Sequence, residues 1–129
     1  MKKAYTVLLV DDDKFLLEMY QKKFDKYGIK ADMSVGPEDA LSKLRAGGKY
    51  DILVFDIIMP SMDGIELLRT VKKEKLSPES IVVMLTNESG SDKIEEAKAL
   101  GAAGYIVKAT SIPSEVVEEI IKIADANTK

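Results

Sequence analysis

Short apolar runs alternate five times along the chain with stretches whose apolar residues recur at helical spacing. The first run, roughly Tyr5 to Val10, precedes a segment from about Lys14 to Tyr27. There Leu16, Tyr20, Phe24 and Tyr27 fall three and four apart, as on a helix with one buried face. Gly28 stands where a left-handed C-terminal cap would fall. From about Lys30 to Val35, Ala31, Met33 and Val35 alternate with Lys30, Asp32 and Ser34, a period of two that predicts a half-exposed edge strand. Pro37, with Glu38 and Asp39 behind it, opens a second helix that ends before Gly47-Gly48.

The third run, Ile52-Leu53-Val54-Phe55, is too short for a helix and is bounded by turn signals. It reads as a strand buried on both faces, and Asp56 is the residue at which it emerges. A third helix starts near Gly64, with Ile65, Leu68 and Val71 on one face and Lys72, Lys73 and Lys75 near its end. Ile81 to Leu85 is again apolar throughout, hence central, with Thr86 at its exit and a polar loop from Asn87 to Gly90. A fourth helix covers about Ser91 to Leu100, and a fifth strand, Tyr105-Ile106-Val107, leaves the sheet at Lys108. The last helix, from about Pro113 to Ala124, carries Val116, Val117, Ile120, Ile121 and Ala124 on one side.

This alternation predicts an α/β fold, a parallel sheet covered by helices on both faces and joined by right-handed crossovers. A length of 129 residues suits one domain, 1–129, able to bury roughly 70% of its unfolded surface. A net charge of −3 with scattered basic residues argues against a nucleic-acid surface. With no Cys and no His, disulfides, thiol catalysis and a zinc site are not expected. The run from Val7 meets Asp11-Asp12-Asp13 too soon for a signal sequence, and no segment is long enough to span a bilayer, so a cytoplasmic protein is expected.

The chemistry collects at the strand exits. These are Asp11 and Asp12 after the first strand, Asp56 after the third, Thr86 after the fourth and Lys108 after the fifth. In open α/β sheets the carboxyl ends of the strands are where ligands bind. Three carboxylates brought together repel one another unless a cation joins them. Oxygen ligands without His or Cys suit a hard ion, and Mg2+ fits best. Carboxylates form aspartyl-phosphate. Asp56 is therefore read as a phosphoryl acceptor, with Lys108 as a point charge and Thr86 as a hydrogen-bond donor to a phosphoryl oxygen. Asp11 and Asp12 would face opposite ways inside a strand, so their roles are expected to differ.

Val10-Asp11-Asp12, Asp56 followed by Met59-Pro60 and Asp63-Gly64, Leu85-Thr86, and Gly104 to Lys108 resemble the receiver domain of bacterial two-component response regulators. The likeness covers essentially the whole chain, and is to the single-domain, chemotaxis-type members. It implies a flavodoxin-like, doubly wound five-stranded sheet in order 2-1-3-4-5. It also implies metal ligation by Asp11, Asp12, Asp56 and the Ile58 carbonyl, a switch pair of Thr86 and Tyr105, and phosphate contact by Lys108. The donor would be a phosphohistidine on a sensor histidine kinase or phosphotransfer protein. The output would be altered affinity of the helix 4, strand 5, helix 5 face for a downstream protein, as a monomer or a phosphorylation-dependent dimer. Such a protein is a phosphoacceptor and not an enzyme, with at most slow self-dephosphorylation.

Three positions depart from the family pattern: Ala109 where Pro is usual, Pro113 one residue late, and Asn87 where Ala or Ser is common. A cis bond before Ala costs about 2.5–4 kcal/mol, so a trans loop is expected at Ala109. Taken singly, the residues have plainer explanations. Asp11-Asp12-Asp13 is a solvated strand end with a helix cap, Thr86 a β-favouring residue, Tyr105 ordinary packing, and Asp63-Gly64 a turn without chemistry. Two other functions stay open, a haloacid-dehalogenase-type phosphohydrolase using Asp11 and a lapsed receiver acting only as a binding module. Against the hydrolase stand Phe15 where a small residue is expected, the lack of a later acidic pair, and an unexplained Asp56.

Overall fold

The computed structural model describes residues 5–60, 62–86, 92–108 and 112–127. Strands and helices alternate throughout: β1 (Thr6–Asp11), α1 (Lys14–Lys26), β2 (Lys30–Val35), α2 (Pro37–Arg45), β3 (Ile52–Asp56), α3 (Gly64–Lys73), β4 (Ile81–Thr86), α4 (Asp92–Ala99), β5 (Gly104–Val107) and α5 (Pro113–Ala126). The strands are parallel, in the order β2-β1-β3-β4-β5, as the resemblance implied. Three strands run one residue past their apolar run, so Asp11, Asp56 and Thr86 are the last residues of β1, β3 and β4.

Strand alternation divides the core in two. Val7, Leu9, Val54, Val83, Leu85 and Ile106 pack with Leu17, Tyr20 and Phe24 of α1 and with Val116, Val117, Ile120 and Ala124 of α5. Their neighbours Leu8, Val10, Leu53, Phe55, Val82 and Met84 pack on the other side with α2, α3 and Ala97 of α4. Each strand residue therefore belongs to one helical layer, the next residue to the other. Burying a side chain such as Leu17 or Phe24 contributes about 1.5–3 kcal/mol before the entropy of ordering it is counted.

Two patterns read from the sequence are corrected. On α1 the buried residues are Leu17, Tyr20 and Phe24; Leu16 is only partly covered, and Tyr27 is exposed, donating its hydroxyl to Glu118 Oε2 at 2.8 Å. In β2 the edge position holds, but its last two residues are reversed: Ser34 is buried and Val35 is half exposed. Ser34 lies opposite Val10 of β1, on the side covered by α2, whereas Val35, opposite Asp11, stands at the rim beyond the cover of α1. Gly28 does take the left-handed conformation, at φ 72°, and Pro37 does open α2.

Candidate functional site

The strand register sets the site. Phe55 lies beside Val10, Asp56 beside Leu85 and Thr86 beside Val107, so β1, β3, β4 and β5 end at one edge of the sheet. Asp11 and Asp56 each stand two residues beyond a member of the α1–α5 core, Leu9 and Val54, and so share that layer. Both are almost wholly buried, at 2% and 3% exposure, while Asp12, just past the end of β1, is exposed. The expected inequality of the two neighbouring aspartates is thus present. One oxygen from each of Asp11, Asp12 and Asp56 lies within 4.8 Å of the others.

Local bonds hold these carboxylates in place. The Asp13 N–H donates to Asp11 Oδ1 at 3.0 Å, and the Gly36 N–H donates to the Asp11 carbonyl at 2.9 Å. Asp13 itself caps α1, accepting from the Leu16 N–H at 3.2 Å. After Asp56, the Ile57 N–H continues the ladder to the Leu85 carbonyl, and the Gly64 N–H returns to the Ile57 carbonyl at 2.7 Å. Asp63 caps α3 by accepting from the Glu66 N–H at 2.9 Å. A side chain at Gly64 would press on the Asp56 carbonyl, its Cβ 2.9 Å from that carbon. Asp63-Gly64 is thus more than a turn, because it lets α3 start directly against the backbone of Asp56.

Lys108, one residue past β5, reaches into the acidic group from the far side of β4. Its Nζ lies 3.3 Å from Asp11 Oδ2 and 3.1 Å from Asp56 Oδ1. The first contact is a hydrogen bond. The second is an ion pair, and among the described residues Asp56 Oδ1 has no other donor. Burial would draw protons off Lys108, but Asp56 and Asp11 outweigh it and raise its pKa. Burial pushes Asp56 up to about 6, and the Asp11 charge adds to this despite Lys108. Asp11 is raised too, chiefly by burial, with the Asp13 N–H and Lys108 opposing.

A single ammonium does not neutralise three carboxylates, two of them buried, and their oxygen-only donor set fits a hard divalent cation. Thr86 is buried at the neighbouring strand end, and Ile58, two residues past Asp56, has a side chain 54% exposed beside the mouth. Tyr105 stands apart on the edge strand, 40% exposed. Ala109, Asn87 and Glu88 lie outside the described residues, as does the loop geometry expected at Ala109.

One participant was not singled out from the sequence. Tyr20 of α1 is buried, and burial, then the charges of Asp11, Asp56 and Asp13, raise its phenol pKa. Its place in the α1 repeat marks it only as core.

The family described as the response regulator receiver domain matches residues 7–121. Chemotaxis protein CheY of Pseudomonas aeruginosa is 30% identical over 118 residues, covering 90% of this chain and 95% of that protein. Chemotaxis protein CheY4 of Vibrio cholerae superimposes with a TM-score of 0.83 at 26% identity, over 94% of this chain and 99% of that one. A CheY-like receiver domain protein from Methanospirillum hungatei gives a TM-score of 0.83 at 25% identity, over 96% of each chain. With the order of its strands and the acidic edge they form, the chain belongs to the response regulator receiver domain family.

Proposed function

We propose that the protein is a cytoplasmic signalling switch operated by phosphorylation of Asp56, a phosphoacceptor rather than an enzyme. The observation that carries this is the buried Asp56 carboxylate, held beside Asp11 and Asp12 and paired with the Lys108 ammonium. Asp11, Asp12, Asp56 and the carbonyl of Ile58 would hold Mg2+. When bound, the ion supplies the positive charge that lets a phosphoryl group approach three carboxylates. Asp56 forms a new P–O bond as the P–N bond of a donor phosphohistidine breaks. The electron pair leaves with the imidazole nitrogen, which takes up a proton. Lys108 pairs with one phosphoryl oxygen, and Thr86 donates to another.

A protein donor is supported by the rim. Phe15, Ile58 and Ile112, at 80%, 54% and 61% exposure, follow closely in sequence on Asp13, Asp56 and Lys108. Large apolar side chains left in water around a charged centre suit an apolar protein surface that closes over it. Phosphorylation then draws Thr86 inward and Tyr105 repacks, changing the affinity of the α4, β5, α5 face for a downstream protein. The hydrolase alternative, which would use Asp11, gives no role to the buried Asp56 that Lys108 pairs with.

Incubation with acetyl phosphate and Mg2+ tests the proposal. The mass of the protein should rise by one phosphoryl group, mapped to Asp56, and Asp56→Asn should abolish the gain. Label mapped to another residue would reassign the acceptor.

A further inference from the structure

We infer that Lys98, in the last turn of α4, is a positioning residue for Tyr105 that holds its ring outward and so biases the switch toward its resting form. Its role presupposes that Tyr105 is the moving part of the switch proposed above. The Lys98 Nζ lies 5.4 Å from the centroid of the Tyr105 ring, within cation–π range. The ammonium has one carboxylate neighbour among the described residues, Glu95, at a long 3.9 Å. The ammonium thus lies between an exposed carboxylate and the tyrosine ring.

The fold explains why the two meet. In β5, Ile106 is buried in the α1–α5 core, so Tyr105 before it faces the opposite layer, where α4 lies. Among the described side chains of α4, Ile94 and Ala97 are the buried ones, and Lys98 follows Ala97 at the border of that stripe. Two ion pairs between helices fix α4 itself. Lys93 Nζ lies 2.7 Å from Asp63 Oδ2, and an Arg69 nitrogen lies 2.9 Å from Glu96 Oε2. The Lys98 ammonium thus stands over the ring from a helix tied to α3 by these pairs. Tyr105, on an edge strand, is 40% exposed.

Turning the ring inward removes it from beneath the ammonium, so the contact favours the outward state alone. An exposed cation–π pair shifts such a two-state ratio by about two- to five-fold. Lys98→Met keeps most of the aliphatic stem and removes the charge. It should raise the inward population of Tyr105 and speed labelling of Asp56 by acetyl phosphate, each by about two- to five-fold. Lys98→Arg, which preserves the cation, should restore both to the values of the unsubstituted protein.

The experiment follows ring signals of the full chain labelled with 13C-tyrosine by NMR, with Tyr105 assigned from Tyr105→Leu, alongside the labelling rate by mass spectrometry. Loss of the Lys98→Met effect on labelling in a Tyr105→Leu background supports action through the ring. A Tyr105 signal unmoved by Lys98→Met, with labelling of Asp56 intact, overturns the role of Lys98 alone. So does an equal rate change with and without Tyr105. Absence of Asp56 labelling in the unsubstituted protein instead overturns the proposed function, and the inference falls with it.

Discussion

Replacing Asp56 by Asn should make the metal-free protein more stable at neutral pH while abolishing its capacity to be phosphorylated. The folded protein holds the Asp56 proton with a pKa of about 6, against 3.8 for the ordinary carboxyl. A raised folded pKa means that the native state binds more protons than the unfolded chain between those values. Stability therefore falls as pH rises through this window, and the loss is complete above the folded pKa. Two pKa units correspond to about 3 kcal/mol. An amide at position 56 carries no charge at any pH and keeps nearly the same shape. The variant should exceed the unsubstituted protein by about 1 kcal/mol at pH 4.5 and by about 3 kcal/mol at pH 7.5. For a chain of 129 residues the larger figure is a rise in Tm of about 10 °C. Urea melts in EDTA across this pH range would measure it. Saturating Mg2+ should then narrow the gap, because ligand binding to the native state alone stabilises by mass action. The Mg2+ increment should shrink in Asp12→Ala. A variant less stable than the unsubstituted protein at pH 7.5 in EDTA would refute the reasoning, as would a margin that does not fade on acidification.

Three further outcomes follow from particular contacts. Gly64→Ala drives a methyl group onto the Asp56 carbonyl, so it should cost about 1–3 kcal/mol in urea melts and also slow labelling of Asp56. A stable, normally labelled variant would show that α3 can draw back freely. The hydroxyl of Ser34 is buried with no hydrogen-bond partner among the described residues, so Ser34→Ala should stabilise by about 1 kcal/mol; a loss of stability would reveal a partner for that hydroxyl. Ile58, half exposed beside the mouth, should slow the entry of water to a phosphoryl group on Asp56. Ile58→Asn is therefore expected to shorten the lifetime of the label, followed by mass over time, and an unchanged decay would remove Ile58 from that role.

The acidic edge was legible because a carboxylate directly after a run such as Ile52 to Phe55 is conspicuous in one dimension. Parallel alternation then carries every such residue to the same side of the sheet. The phase of a helix is harder to see. Leu16 and Leu17 are both leucine, and three-and-four spacing accepts either, so only packing against α5 and the sheet selects Leu17. The inversion at Ser34 and Val35 arises similarly, since a strand at the margin is covered unevenly by α1 and α2 along its length. The closeness of Gly64 to Asp56 and the meeting of Lys98 with Tyr105 depend on where separate elements come to rest. No spacing in the sequence encodes either contact.

Strand alternation, which sorts the core into two layers, also governs how a disturbance can spread. Both faces of the sheet are apolar through its interior and carry separate clusters of packed side chains. At the rim polar residues of both allegiances meet, with Asp11 and Asp56 in line with Leu9 and Val54, and Thr86 in line with Met84. A phosphoryl group joined to Asp56 and hydrogen-bonded by Thr86, as proposed above, would tie the two halves of the molecule together at once, as a keystone touches two sides of an arch.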